Sequence, residues 1–106
     1  MKEIPNLNYL NALSDGDQNI KLKLIAILKE EFPQELENYN NASHTLNYIE
    51  MAELVHKLSH KIGFFGLEIE HQKAQLYQQN LRKKSVQYQV DFEKCMQKIE
   101  NFISKL

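Results

Sequence analysis

Glycine and proline are scarce in this chain, three and two among 106 residues, so there are few places for tight reversals between strands. Apolar residues recur instead at helical spacing: Leu7, Leu10 and Leu13, then Ile20, Leu24, Ile27, Leu28 and Phe32, a period near 3.6. Leu, Lys, Glu, Gln and Ile are plentiful, and no strand pattern of convincing length competes, so the expected class is all-α. A chain of this length makes one domain, residues 1–106, with one core that buries roughly two-thirds of the unfolded surface.

The breaks in the pattern divide the chain. A short amphipathic helix is expected over residues 6–13, and Ser14-Asp15-Gly16-Asp17 supplies a turn and an N-cap for a second helix. Pro33 either kinks that helix or opens a new one, since it has no amide proton and crowds the carbonyl four residues back. Thr45 or Ser43 is the expected cap of a third helix carrying Tyr48, Met51, Val55, Leu58 and Ile62, which ends near Gly63 to Gly66. A fourth runs from Leu67 to about Leu81 on Ala74, Tyr77 and Leu81, with Arg82-Lys83-Lys84 near its C-terminal end. A fifth carries Val86, Val90, Phe92, Cys95, Met96, Ile99, Phe102 and Ile103. Short connections between the later helices predict antiparallel neighbours, hence an up-down antiparallel four-helix bundle with a short extra N-terminal helix.

Charge and composition exclude several functions. A net charge of −1 is wrong for a general nucleic-acid binder, which needs a dense basic face. The charge is uneven: residues 1–50 carry 4 basic and 8 acidic side chains, residues 51–106 carry 9 and 6. The second half therefore suits an acidic partner or a phosphoryl group. No apolar run is long enough to span a membrane, and Met1-Lys2-Glu3-Ile4-Pro5 turns polar at once, so a cytoplasmic protein or a domain of a larger one is expected. The single Cys95 has no disulfide partner in the chain and is expected to pack as a small hydrophobe. There is no glycine-rich phosphate loop and no serine nucleophile elbow.

The segment from Val55 to Leu67 is the most informative. At about 100° per residue, Met51, Leu54, Val55, Leu58, Ile62 and Phe65 form one apolar arc, and His56 points roughly 140° from its centre, toward water. Ile49, Ala52, His60 and Gly63 are expected beside it on the exposed side, with Lys57 and Lys61 within about a turn. A neutral imidazole is a competent nucleophile near pH 7 and takes a phosphoryl group without a metal of its own. In-line attack on a phosphoryl group held by another protein needs a rigid convex surface, which a helix provides, and nearby cations steady the transferred oxygens.

In this segment Val55, His56, Leu58, Gly63, Gly66 and Leu67 fall in the register of histidine-containing phosphotransfer domains, and the chain resembles that family. Leu7-Asn8-Tyr9-Leu10, the turn at Asp15-Gly16-Asp17 and the stretch Phe32-Pro33-Gln34-Glu35-Leu36 are similar to the family's leading helices. The resemblance implies a four-helix bundle that carries phosphate between the aspartates of receiver domains, with Mg²⁺ on the receiver and no cofactor on this chain. It makes His56 the phosphoacceptor and Gln78 a glutamine that hydrogen-bonds its ring. Lys57, His60 and Lys61 would support the transfer, and Ile49, Ala52, Ser59, Gly63 and Phe64 would dock a receiver against a monomer. Two positions depart from the family: Ser59 stands where Lys is usual and His60 where Gly is usual. His60 would crowd the site or lend it a second ring.

A rival reading comes from Glu53, His56 and His60, which share a helix face at spacings of three and four, suitable for a divalent metal on a helical scaffold. The glutamate that follows the first His in the zinc-protease motif is absent, as is a second Glu-x-x-His on a facing helix.

Overall fold

The computed structural model describes residues 3–106; the polar opening at Met1 and Lys2 lies outside the described residues. Five helices follow one another: α1 (Asn8–Ser14), α2 (Gln18–His44), α3 (Tyr48–Phe64), α4 (Glu68–Leu81) and α5 (Gln89–Ile103). No strand forms among the described residues. Among them, no helix is long and apolar enough to cross a membrane.

Local chemistry sets most boundaries. Asp17 caps α2, its carboxylate accepting from the amides of Asn19 and Ile20 at 2.9 and 3.2 Å. The third helix is capped by Asn47 rather than by Thr45 or Ser43. The Asn47 side chain accepts from the Glu50 amide at 3.2 Å and donates to the Glu50 carboxylate at 3.0 Å, a capping pair at the usual three-residue spacing. Pro33 neither ends α2 nor opens a new helix, and the element runs through it to His44. At about 1.5 Å per residue its 27 residues span about 40 Å, which accounts for the 43 Å long axis of the molecule.

Packing follows the apolar stripes. α2 lies against α3, α3 against α4, α4 against α5, and α5 returns to α2, while α1 packs on α2. Neighbours run in opposite directions: Lys61 late in α3 reaches Glu35 of α2, His56 and Ser59 meet Gln78 and His71 of α4, and Tyr77 late in α4 meets Phe92 early in α5. The core contains Phe32, Tyr39, Met51, Val55, Leu58, Ile62, Phe65, Tyr77, Leu81, Met96 and Ile99, all essentially sealed from solvent. Burying such side chains contributes about 1.5–3 kcal/mol each. At one end Tyr39 and Tyr77 both stack on Phe92, at 5.2 and 5.3 Å. The Tyr39 hydroxyl donates to Glu93 at 2.9 Å, so the Tyr77 hydroxyl, 2.7 Å away, donates to Tyr39.

Several stripes differ from the sequence expectation. Val86 and Val90 are 47% and 65% exposed, because the chain between α4 and α5 turns through left-handed Lys84 and Tyr88 and α5 starts only at Gln89. Ile20 and Ile27 are also exposed, since α2 is much longer than α3 and its first half is only partly covered by its neighbours. Cys95 packs in the core as expected, and burial, with lesser electrostatic effects, pushes its thiol up to about 12.

The N-terminal segment is clipped over the α3–α4 corner. Glu3 accepts from the amides of Ile69 and Glu70 at 3.0 and 3.1 Å, capping α4, whose own N-cap Leu67 has no side chain to do so. The Asn6 amide donates to the Phe65 carbonyl at 2.9 Å. Gly66 permits this approach: its φ is +76°, and a Cβ there would stand 2.7 Å from the Asn6 side chain.

Candidate functional site

His56 projects from the middle of α3 and is exposed. Its Nδ1 stands 3.3 Å from Oε1 of half-buried Gln78 on α4. An amide oxygen only accepts, so this contact places the imidazole proton on Nδ1 and leaves the Nε2 lone pair pointing outward. One turn on, Nε2 of His60 lies 3.4 Å from Nε2 of His56, with the rings edge-on at 4.8 Å and 84°. With the proton of His56 on Nδ1, His60 is the donor in that contact. The backbone beneath is tied down by the Ser59 hydroxyl, which donates to the His56 carbonyl at 2.6 Å.

A hollow of about 390 Å³ opens beside the ring, lined by Glu53, His56, Lys57, Gln78 and Arg82. In the sequence Arg82 stands out only as part of the basic run Arg82-Lys83-Lys84 near the C-terminal end of the fourth helix. It sits four residues after Gln78, hence on the same side of its chain segment, and that spacing is the signal that could have found it. On the far side of His60 a wider hollow of about 580 Å³ is lined by Tyr9, His60, Gly63, Phe64, Glu68, His71 and Gln72. His71 is structural: its Nδ1–H donates to the Ser59 carbonyl at 2.8 Å, and Gln75 donates to its Nε2 at 3.2 Å. It thereby joins α4 to α3 just below the exposed rings.

The residues expected around His56 separate into two groups. Ile49 is 65% exposed and shares the open face with Lys57 and His60. Gly63 is half-buried, with His71 3.7 Å from the position a Cβ would take. Phe64 is half-buried and packs on Tyr9 of α1 at 5.5 Å, so part of its surface is already covered. Ala52, Ser59 and Lys61 are corrections: they are 0%, 2% and 8% exposed and cannot lie on an open face. α3 is wedged between α2 and α4 and so buries about half its circumference, from Lys61 round to Ala52, where a single apolar stripe is narrower.

Lys61 is turned away from His56, toward α2. Its ammonium pairs with Glu35 at 2.9 Å and Glu31 at 3.1 Å. Burial alone would lower its pKa, but the hydrogen bonds and charges of the two carboxylates outweigh this and hold it above the ordinary lysine value. It is committed to the helix seam and unavailable to a ligand at His56. Among the described residues no three His, Cys, Asp or Glu side chains gather as a metal-binding group, so Glu53 does not complete a set with His56 and His60.

What remains on the open face is one imidazole nitrogen with its lone pair outward, held by an amide on its other nitrogen and accompanied by a second ring, a lysine and an arginine. Compared with known proteins, the chain matches no family model, no curated protein and no solved structure.

Proposed function

We propose that this chain is a phosphorelay intermediate of the histidine-containing phosphotransfer type, an up-down four-helix bundle of α2 to α5 with α1 as the additional helix. The observation that carries the reading is the orientation of His56: exposed, with Nδ1 bound by Gln78 at 3.3 Å and Nε2 on the side away from Gln78, 3.4 Å from Nε2 of His60. Nε2 attacks the phosphorus of an aspartyl phosphate on a receiver domain; the N–P bond forms as the P–O bond to the aspartate breaks, and the aspartate leaves as a carboxylate. The positive charge that develops on the ring is shared through Nδ1–H with Gln78 Oε1. Lys57 and Arg82, which line the same hollow, neutralise the phosphoryl oxygens. The receiver supplies Mg²⁺. At rest His60 donates to the attacking nitrogen through a long, exposed contact of 3.4 Å, which the incoming phosphoryl group replaces.

The reverse step passes the group to a second receiver, and nothing else on this chain is consumed. The reading is tested by incubating the protein with phosphorylated receiver domains and measuring the intact mass. A gain of one acid-labile phosphoryl group, absent in His56→Gln, is expected. Labelling of His56→Gln to the same extent would reject it.

A further inference from the structure

The paired rings on α3 have the dimensions of a chelate. Two imidazole nitrogens bound to one tetrahedral zinc ion at about 2.0–2.1 Å stand about 3.3–3.4 Å apart. The Nε2 atoms of His56 and His60 stand 3.4 Å apart. Histidines four residues apart on one helix face are a recurrent zinc-binding pair, and both rings are open to solvent. Gln78 already orients the His56 ring from its far nitrogen, as outer partners of metal-bound histidines do.

We propose that His56 and His60 together bind a zinc ion through their Nε2 atoms, and that the ion masks the phosphoacceptor nitrogen. The masking rests on the phosphotransfer reading; the zinc site does not. The ion takes the place of the proton shared between the rings. His60 then carries its proton on Nδ1, both rings stay neutral, and both Nε2 lone pairs face the metal. Water completes the coordination, since no third His, Cys, Asp or Glu joins the pair among the described residues. Lys57 and Arg82 oppose the ion's charge and Glu53 in the same hollow offsets part of that opposition, so binding is reversible and suited to regulation.

The test titrates metal-free protein with zinc chloride, following heat and the imidazole ¹⁵N shifts. One ion per chain is expected, with the Nε2 signals of His56 and His60 moving together while those of His44 and His71 stay in place. Removing either ring, as His60→Ala or His56→Gln, weakens binding about tenfold or more, whereas His44→Ala binds as the wild type does. Equal affinity in His60→Ala, or shifts at His44 or His71 instead, would overturn the site. In a second arm, phosphoryl acceptance from a receiver is compared without zinc and with zinc near the wild-type Kd, where the weaker-binding His60→Ala stays largely empty. The wild type is slowed in proportion to occupancy, while the ratio of the two rates in His60→Ala stays near one, which also controls for zinc acting on the receiver. Undiminished acceptance by zinc-loaded wild type would overturn the masking. Failure of acceptance in zinc-free buffer would instead reject the phosphotransfer reading and leave the metal site standing.

Discussion

Two polar clusters flank α3, and they differ in how deeply they are buried and how tightly they are held. On the α2 side, Lys61 is buried against Glu31 and Glu35 at 3.1 and 2.9 Å. On the α4 side, His56 is exposed and held only by contacts of 3.3 and 3.4 Å to Gln78 and His60. The first cluster commits its charge to the fold; the second keeps a nitrogen lone pair at the surface, met only by the long contact from His60. Lys57 and Lys61, the cations placed within a turn of His56 by the sequence, fall on opposite sides of this division: Lys57 lines the His56 hollow and Lys61 closes the helix seam. A charged residue near a reactive one in sequence therefore says little about its role until the seam it faces is known.

The largest effect should come from a residue between the two clusters. Ala52 has no exposed surface, so Ala52→Arg forces a charge and a long side chain into the α3–α4 contact and should cost more than about 3 kcal/mol. The thermal midpoint should fall by more than about 12 °C. A fall of only a degree or two would return Ala52 to the open face.

Next in size is Lys61→Ala, which strands Glu35 at the seam, where one carboxylate oxygen is already without a hydrogen-bond partner; a loss of about 3 kcal/mol is expected in urea unfolding. Lys61 titrates above the ordinary lysine value in the fold, so its contribution is whole below about pH 10.4 and disappears as pH rises through the folded pKa. The stability gap between wild type and variant should therefore be flat from about pH 6 to 9 and narrow only above about 10.4. A gap already narrowing near neutral pH would show that the ion pair does not hold the seam. Smaller still is His71→Ala, which removes the donor to the Ser59 carbonyl and should cost about 1 kcal/mol. A cost near zero in thermal unfolding would show that His71 does not join α4 to α3.

The fold was largely legible. Five apolar stripes gave five helices, and Asp17, Gly66 and the short α3–α4 connection read correctly from residue chemistry alone. So did the exposure of His56, because it lies opposite Leu58 and Met51 on any regular helix; its contact with Gln78 is implied by the family resemblance and by no spacing in the chain. The misplacements on α3 share one cause: a stripe shows which way a helix faces but not how many neighbours flank it, and α3 has two. Ala52 and Ser59 at one margin of its buried half and Lys61 at the other therefore look open from the stripe alone. The Lys61 partners lie 26 and 30 residues upstream on another helix, a pairing no local spacing signals. Asn47 was a different case, since Asn-x-x-Glu before an apolar run is a cap signature present in the sequence.

The contrast between the clusters predicts that the open one can change without disturbing the fold. His56→Gln should leave stability within about 0.5 kcal/mol of wild type. The decisive measurement is the intact mass of wild type and His56→Gln after incubation with a phosphorylated receiver domain. One acid-labile phosphoryl group is expected on the wild type, located at His56, and none on an equally stable variant. Equal phosphorylation of both proteins, or a label on His44, His60 or His71, would contradict the role of His56.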